Sequence, residues 1–263
     1  MKEYVSENKK GLILVLIAVL ITSIVWFINV GNANTNKKTI KFSYIMLNDE
    51  PKKLSEQDLV VAYLNTNKET VDFYANAFKI DATTLNNLLK DNYQSLNLLN
   101  SENLDTTLLN YLFTLEGSNP ELFDNSITPN SKSKEYILGL INYYSKIYGV
   151  DFNIAAAIGE VECGYFAKGM LNVNNIYGGM SGHGLLRYKT IEYGVIKYLK
   201  TLKEGYIDKG LTTVESIGYI FNPTVNEAGV KIAKPSWVSK VNGALSHYND
   251  YQSIDSITTL KSL

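Results

Sequence analysis

Apolar residues recur along most of this chain at the three- and four-residue spacing that places them on one face of an α-helix. No long run alternates apolar and polar residues, although TIKFSYIML at 39–47 is compatible with one short strand. The pattern therefore predicts a mainly α fold. The helical sets are Val71, Tyr74, Ala75 and Phe78; Leu85, Leu88 and Leu89; Ile137, Leu140, Ile141, Tyr144 and Ile147; Ile191, Val195, Tyr198, Leu199 and Leu202; and Val238, Val241, Leu245 and Tyr248.

One apolar run has no polar face. GLILVLIAVLITSIVWFINV, residues 11–30, contains no charge and has the roughly 20 residues that cross a bilayer as a helix. Lysines flank it on both sides, so charge favours a cytoplasmic N-terminus only weakly. A cleaved signal peptide is the alternative, because small residues follow at 31–33, but the length of the run favours an uncleaved anchor. We expect a single-pass protein of the cell membrane, with residues 1–10 in the cytoplasm and the rest outside the cytoplasm.

Composition and capping signals divide the remainder of the chain. Ser55, with Asp58 three residues later, is typical of a capping box at the start of a helix. Polar, Pro-, Asn- and Ser-rich stretches are typical of connections between folded segments. The expected segments are a linker at 31–54, a small helical module at 55–122, a linker at 123–130, a larger helical domain at 131–250 and a C-terminal tail at 251–263.

Charge and metal-ligating residue types exclude several functions. The formal net charge is -1, and the helix-turn-helix spacing around 79–82 lacks basic residues, so we expect packed helices and no nucleic-acid partner. One cysteine, Cys163, excludes an intramolecular disulfide framework. With only two histidines, His183 and His247, we expect no metal and no other cofactor.

The stretch IAAAIGEVECGYF, residues 154–166, places charge at the end of an apolar segment. Its small residues predict a closely packed helix that Gly164 terminates. Glu162 lies in the last turn, where the helix dipole and apolar neighbours favour the protonated carboxyl group of a general acid. Glu160 projects about 200° away from Glu162 and is expected to be outward-facing or supporting. The alternative for Glu162 is a surface glutamate at a frayed helix end.

Downstream motifs carry a family resemblance. ECGY at 162–165 is similar to a Glu-Ser-Gly-Trp/Phe motif, and NNIYG at 174–178 is similar to Asn-Asn-Leu-Phe-Gly. YKT at 188–190 matches a Tyr-x-Ser segment, although Arg187 is one position out of register. YIFNP at 219–223 and WVSKV at 237–241 follow, and each is similar to a further motif of the same family in the order in which that family has them. Together these segments resemble the bacterial glucosaminidase family of the lysozyme superfamily, the hydrolases of autolysins and flagellar muramidases, over residues 131–250.

The resemblance implies a lysozyme-like helical domain that cleaves β-1,4 glycosidic bonds of peptidoglycan. Glu162 would be the catalytic acid, and Tyr219 would line the cleavage site as a second catalytic residue. Tyrosine rings stack on sugars and asparagine amides hydrogen-bond hydroxyl-rich ligands, while core tyrosines and a turn asparagine are the structural alternative. The expected substrate-binding residues are Tyr165, Asn174, Asn175, Tyr177, Gly178 and Tyr188.

A second carboxylate is usual in glycoside hydrolysis, yet no Asp or Glu occurs from Cys163 through Ile191. In the resembled family this interval commonly carries a β-hairpin with the second acid, so we expect that hairpin to be lost or shortened. Glu192 follows Thr190, an expected N-cap, and is assigned a helix-start role. Glu227 is a less constrained candidate. The remaining single-acid routes use the substrate acetamido group or, as in lytic transglycosylases, the muramic-acid 6-hydroxyl group.

Two rival functions remain open. Cys163 with His183 or His247 would form a cysteine amidase or endopeptidase, but a helix C-terminus disfavours the thiolate that such chemistry needs. His183 lies in a glycine-rich segment that we expect to be a flexible loop over the cleft, and His247 is expected to be a packing or surface residue. The non-enzymatic rival is a membrane-tethered glycan-binding or envelope-assembly protein that has lost catalytic activity.

Overall fold

The structure, a computed structural model, describes residues 44–47, 50–166 and 170–263. The predicted anchor at 11–30 and most of the linker at 31–54 lie outside these residues. Among the helices of the described ranges, none combines the length and hydrophobicity that a membrane crossing requires.

Helices dominate the described ranges, which confirms the prediction of a mainly α fold. Three antiparallel two-stranded hairpins accompany them: β1 (Tyr44–Leu47) with β2 (Glu50–Lys53), β3 (Met180–Ser181) with β4 (Gly184–Leu185), and β5 (Pro223–Val225) with β6 (Lys231–Ala233). β1 falls within the segment expected to form one short strand. The α-helices are α1 (Glu56–Thr66), α2 (Lys68–Phe78), α3 (Ala82–Asp91), α4 (Leu104–Ser118), α5 (Lys134–Tyr148), α6 (Phe152–Glu162), α7 (Ile191–Gly205), α8 (Val214–Phe221), α9 (Pro235–Leu245) and α10 (Ile257–Lys261).

Local side-chain chemistry explains where these helices begin. Ser55 and Asp58 form the predicted capping box at the start of α1. Asp151 accepts a hydrogen bond from the backbone N–H of Ile154 at the start of α6. Thr190 accepts one from the backbone N–H of Tyr193 at the start of α7. Each bond satisfies a backbone donor that has no partner within its helix.

Helices α1–α4 lie within residues 55–122, the segment for which a helical module is predicted. The predicted apolar face of α2 is buried, with Val71, Tyr74 and Phe78 inaccessible to solvent, and Leu85 and Leu89 of α3 are buried beside it. α2 ends at Phe78 and α3 starts at Ala82, which confirms the turn predicted around 79–82.

The module packs directly against the following helices. Lys189, just before α7, is 8% exposed and forms an ion pair with Glu116 of α4. The hydroxyl group of Tyr193 donates to the other oxygen of Glu116 at 2.8 Å, and Thr190 donates to the carbonyl oxygen of Ala77 at 2.8 Å. One cluster of buried apolar residues continues across the boundary between the two predicted domains, and the polar groups at that boundary bind each other.

The segment 251–263 is a packed element, which corrects the expectation of a tail. It contains α10, whose Ile257 and Leu260 are buried. A Cβ atom at Gly139 of α5 would lie 2.8 Å from a side-chain atom of Leu260, so the absence of a side chain at Gly139 allows α10 to pack closely.

Helix α6 lies at the centre of the C-terminal region. Its residues Ala155 and Ile158 are inaccessible to solvent, and the hydroxyl group of Tyr198 of α7 donates to the carbonyl oxygen of Ala155 at 2.8 Å. Small side chains permit this close approach of the helices. The C-terminal end of α6, which carries Glu162, is therefore held in a fixed place.

Candidate functional site

The polypeptide leaves α6 through a glycine turn, as predicted. Gly164 adopts a left-handed conformation, with φ of 65°, and the backbone N–H of Tyr165 donates to the carbonyl oxygen of Glu160 at 2.8 Å. This bond is typical of a Schellman ending, in which glycine adopts positive φ without steric cost. Glu162 is the last residue of the helix.

Two segments distant in sequence meet the Glu162 carboxylate. Nε1 of Trp237, in α9, donates a hydrogen bond of 2.6 Å to Oε1 of Glu162. Oε2 of Glu162 lies over Gly178, where a Cβ atom would be only 3.1 Å away. Gly178 has φ of 68°, a conformation that glycine adopts readily. One oxygen atom of the Glu162 carboxylate is thus hydrogen-bonded to Trp237, and the other lies close to the backbone of a glycine.

The surroundings of Glu162 favour its protonated form. Burial raises the pKa of Glu162 above its ordinary value, and the hydrogen bond from Trp237 opposes this shift to a lesser extent. The direction agrees with the prediction from the apolar helix. A half-buried carboxyl group with a raised pKa holds its proton more readily than an exposed one, as a general acid must.

The asparagines of the NNIYG segment hold the loop that carries Gly178. Asn174 and Asn175 are both inaccessible to solvent. Nδ2 of Asn175 donates to the carbonyl oxygens of Gly179 at 3.0 Å and Leu186 at 2.9 Å. The amide donors of Asn175 therefore bind the backbone in this structure. Contact of either asparagine with a ligand stays a prediction.

Asn174 binds the backbone as well. Its Nδ2 atom donates to the carbonyl oxygens of Thr128 and Tyr188, each at 2.9 Å. Asn174 also has φ of 57°, a conformation that asparagine tolerates better than most residues. Both asparagines therefore behave as the turn residues of the structural alternative.

The two predicted substrate-binding tyrosines of this region lie in the core. Tyr177 and Tyr188 are buried, and their hydroxyl groups are hydrogen-bonded to each other at 2.7 Å. The ring of Tyr177 stacks on Tyr198, with 5.1 Å between the ring centroids. These rings support the loop from inside, which matches the alternative of core tyrosines.

Two other predicted aromatic residues face solvent. Tyr165 follows the helix end directly and is 69% exposed. Tyr219 lies on α8 and is 44% exposed, with Nζ of Lys231 4.6 Å from its ring centroid. Phe221 of the same helix stacks on Trp237 at 5.5 Å. Exposed aromatic surfaces of this kind can stack on sugar rings.

The candidate second acids have other surroundings. Glu192 accepts a hydrogen bond from the hydroxyl group of Tyr136 at 2.7 Å, and Thr190 caps α7, which agrees with the helix-start role. Glu227 is exposed in the turn between β5 and β6. The glycine-rich segment forms the short β3–β4 hairpin, with His183 exposed at its turn, where a flexible loop was expected.

The site geometry opposes a cysteine nucleophile. Cys163 is buried, and burial raises the pKa of its thiol group to about 12. The thiolate that a cysteine nucleophile needs is therefore scarce at neutral pH. His247, one of the two proposed partners, instead has its Nδ1 atom 2.9 Å from Oε1 of Glu160.

Trp237 and Glu160 were not predicted as site residues. The sequence contains a signal for Trp237, because WVSKV resembles a family motif with an aromatic residue at that position. No local pattern indicates the partners of Glu160. Two cavities, of about 350 Å³ beside Tyr143 and about 320 Å³ beside Tyr136, lie elsewhere and are not lined by Glu162. The candidate site is therefore defined by the residues that contact Glu162, and neither of these cavities is part of it.

Three separate motif segments meet at this site. ECGY supplies Glu162, NNIYG supplies Gly178, and WVSKV supplies Trp237. No protein-family model and no curated protein matches the chain significantly. The functional assignment accordingly depends on these motifs and on their geometry.

Proposed function

We propose that this protein is a membrane-anchored peptidoglycan hydrolase that cleaves β-1,4 glycosidic bonds of the cell-wall glycan, of the N-acetylglucosaminidase type, with Glu162 as general acid. The observation that carries the proposal is the Glu162 carboxyl group itself: half-buried, with a raised pKa, bound by Trp237 and lying over Gly178. The proposal includes a lysozyme-like catalytic domain and an anchor at residues 11–30 that keeps this domain on the cell-wall side.

The chemistry follows from the protonated state of Glu162. Glycosidic cleavage requires a proton on the leaving oxygen atom, and an oxocarbenium-like centre then develops at the anomeric carbon. Glu162 supplies the proton, and the exposed rings of Tyr165 and Tyr219 supply surfaces for sugar stacking. The proposed substrate is a glycan strand of peptidoglycan, without a metal or another cofactor.

The absence of Asp and Glu from Cys163 through Ile191 favours routes in which the substrate supplies the nucleophile. In the first route the acetamido oxygen of the substrate attacks the anomeric carbon while the glycosidic bond breaks and Glu162 protonates the leaving oxygen atom, and water then opens the oxazoline ring to give a reducing end. In the second route the muramic-acid 6-hydroxyl group bonds to the anomeric carbon of its own sugar after the glycosidic bond breaks and gives its proton to the Glu162 carboxylate. The product has an anhydro end, which makes the protein a lytic transglycosylase with the same acid. Mass spectrometry of the released muropeptides distinguishes these products.

The test compares the full-length chain in detergent micelles with its Glu162→Gln variant on purified peptidoglycan. We expect Glu162→Gln to reduce muropeptide release by ~10²- to 10⁴-fold, because the amide has no proton to deliver. The matched control is Glu121→Gln, which removes a carboxylate from an exposed position. Equal release by the parent chain and Glu162→Gln would assign the acid to another residue.

The missing second carboxylate also favours a non-enzymatic alternative, a tethered glycan-binding or envelope-assembly protein. In that case neither chain releases muropeptides, while both sediment with the cell wall. Release by the parent chain alone excludes this alternative.

A further inference from the structure

The second glutamate of α6, Glu160, is buried among polar partners. It is 1% exposed, its Oε2 atom accepts a hydrogen bond from the hydroxyl group of Tyr248, and its Oε1 atom lies 2.9 Å from Nδ1 of His247. The outward-facing alternative for Glu160 is therefore wrong. A buried carboxylate is costly unless it is paired, so these partners fix the relative positions of the segments that carry them.

Those partners lie directly beyond the end of α9. Trp237 lies in the first turn of α9, and His247 and Tyr248 follow its last residue. The helix has eleven residues and is therefore roughly 16 Å long. Its beginning is bound to Glu162 and its end is bound to Glu160, so α9 is attached at both ends to the last turn of α6.

Through this double attachment of α9, Glu160 affects where Trp237 lies relative to Glu162. The two glutamates project about 200° apart around α6, so no single contact of α9 with one side of the helix satisfies both. Releasing the end of α9 from Glu160 permits that helix to change its angle to α6. Such a change would move the indole of Trp237 relative to Glu162.

We propose that Glu160 is a positioning residue that sets the hydrogen bond between Trp237 and Glu162 by holding the end of α9 through Tyr248 and His247. The proposal rests on the function proposed for Glu162, but it has a spectroscopic test that needs no activity. The indole of Trp237 donates its N–H group to the carboxyl group whose protonation matters, so its fluorescence reports that protonation.

The chain has two tryptophans, Trp26 and Trp237. Trp26→Phe leaves Trp237 as the single reporter in the full-length chain. In detergent micelles we expect the emission of Trp237 to change with pH in one transition that disappears in Glu162→Gln. Burial keeps the nearby titratable groups Cys163 and Tyr198 neutral over this pH range, since it raises the pKa of both. The imidazole NMR signals of His183 and His247 identify any contribution from a histidine without altering the attachment.

The decisive variant is Glu160→Gln, which removes the charge and one of the two acceptor oxygen atoms, so that Tyr248 and His247 no longer each have a carboxylate oxygen to bind. We expect the amplitude of the Glu162-dependent transition to fall at least twofold, with a decrease in kcat of about 10- to 100-fold and a much smaller change in KM, since misplacing an acid by about an ångström has that effect. The matched control is Glu192→Gln, which changes another glutamate bound by a tyrosine hydroxyl group and should leave the transition unchanged.

An unchanged amplitude and midpoint in folded Glu160→Gln would overturn the proposal, as would the absence of any Glu162-dependent transition in the parent chain. If Glu160→Gln does not fold, Tyr248→Phe removes one hydroxyl group from the same attachment and is judged by the same criteria. Positioning by Glu160 without muropeptide release would refute the proposed enzymatic function and leave the role of Glu160 in the site intact.

Discussion

The indole N–H group of Trp237 donates to Glu162 across 75 positions of sequence. The bond lowers the pKa of Glu162, while burial raises it by more. The protonated fraction of the acid is thus set by two opposing effects, of which only burial follows from the apolar sequence around it.

Replacing Trp237 by phenylalanine separates these effects. Trp237→Phe removes the hydrogen bond but keeps an aromatic ring, so we expect the pKa of Glu162 to rise further. Since a general acid must be protonated, activity is lost as pH rises through this pKa, and the basic limb of the pH–rate profile should move to higher pH. A shift to lower pH would show that the ring mainly keeps water away from Glu162.

Glu162 also makes folding stability depend on pH. Its folded-state pKa is raised, so its contribution to stability is fully present below the unfolded-state pKa and is lost as pH rises through the folded-state value. We expect Glu162→Gln to flatten this dependence and to raise the free energy of unfolding at neutral pH relative to the parent chain. Urea denaturation at several pH values measures the difference.

Gly178 tests the space beside the carboxylate. Gly178→Ala places a Cβ atom 3.1 Å from Oε2 of Glu162 at a residue with φ of 68°. Gly210 has φ of 79° and nothing within 4 Å of a Cβ atom, so Gly210→Ala is a matched control for backbone strain. Both variants should lose about 1 kcal/mol of stability, whereas only Gly178→Ala should change the pH–rate profile. Identical profiles in both variants would contradict the contact.

The ion pair of Glu116 and Lys189 tests the attachment of the helical module. Glu116→Gln leaves the buried ammonium group of Lys189 without its carboxylate, and we expect a loss of about 3 kcal/mol in the free energy of unfolding. Glu204→Gln in the exposed pair with Lys200 is the control and should cost less than about 0.5 kcal/mol. Similar losses would show that this ion pair contributes little to the attachment of the helical module.

Cys163 should be unreactive in the folded chain. Its pKa of about 12 and its burial leave little accessible thiolate, so a thiol reagent should label it slowly in buffer and rapidly in denaturant. Since it is the single cysteine, total labelling reports this residue alone. Rapid labelling in the folded state would restore the cysteine nucleophile as a candidate.

Local patterns predicted much of the fold. The capping box at Ser55, the turn around 79–82, the N-cap at Thr190 and the helix end at Gly164 agree with the structure. Each depends on residues within a few positions of one another, where spacing and side-chain type decide the hydrogen bonds. The same local reasoning failed for residues 251–263, because the burial of α10 depends on contacts with distant helices.

The sequence by itself determined most of the helices, the helix ends marked by capping residues and the apolar setting of Glu162, since these follow from spacing along the chain. Only the tertiary structure decided which residues surround that carboxyl group: Trp237 binds it, Gly178 lies beside it, and Tyr177 lies beneath the loop instead of at its surface. It also decided that Glu160 is buried. The physical reason is that packing between distant segments creates these contacts, and no local period encodes which polar groups will meet.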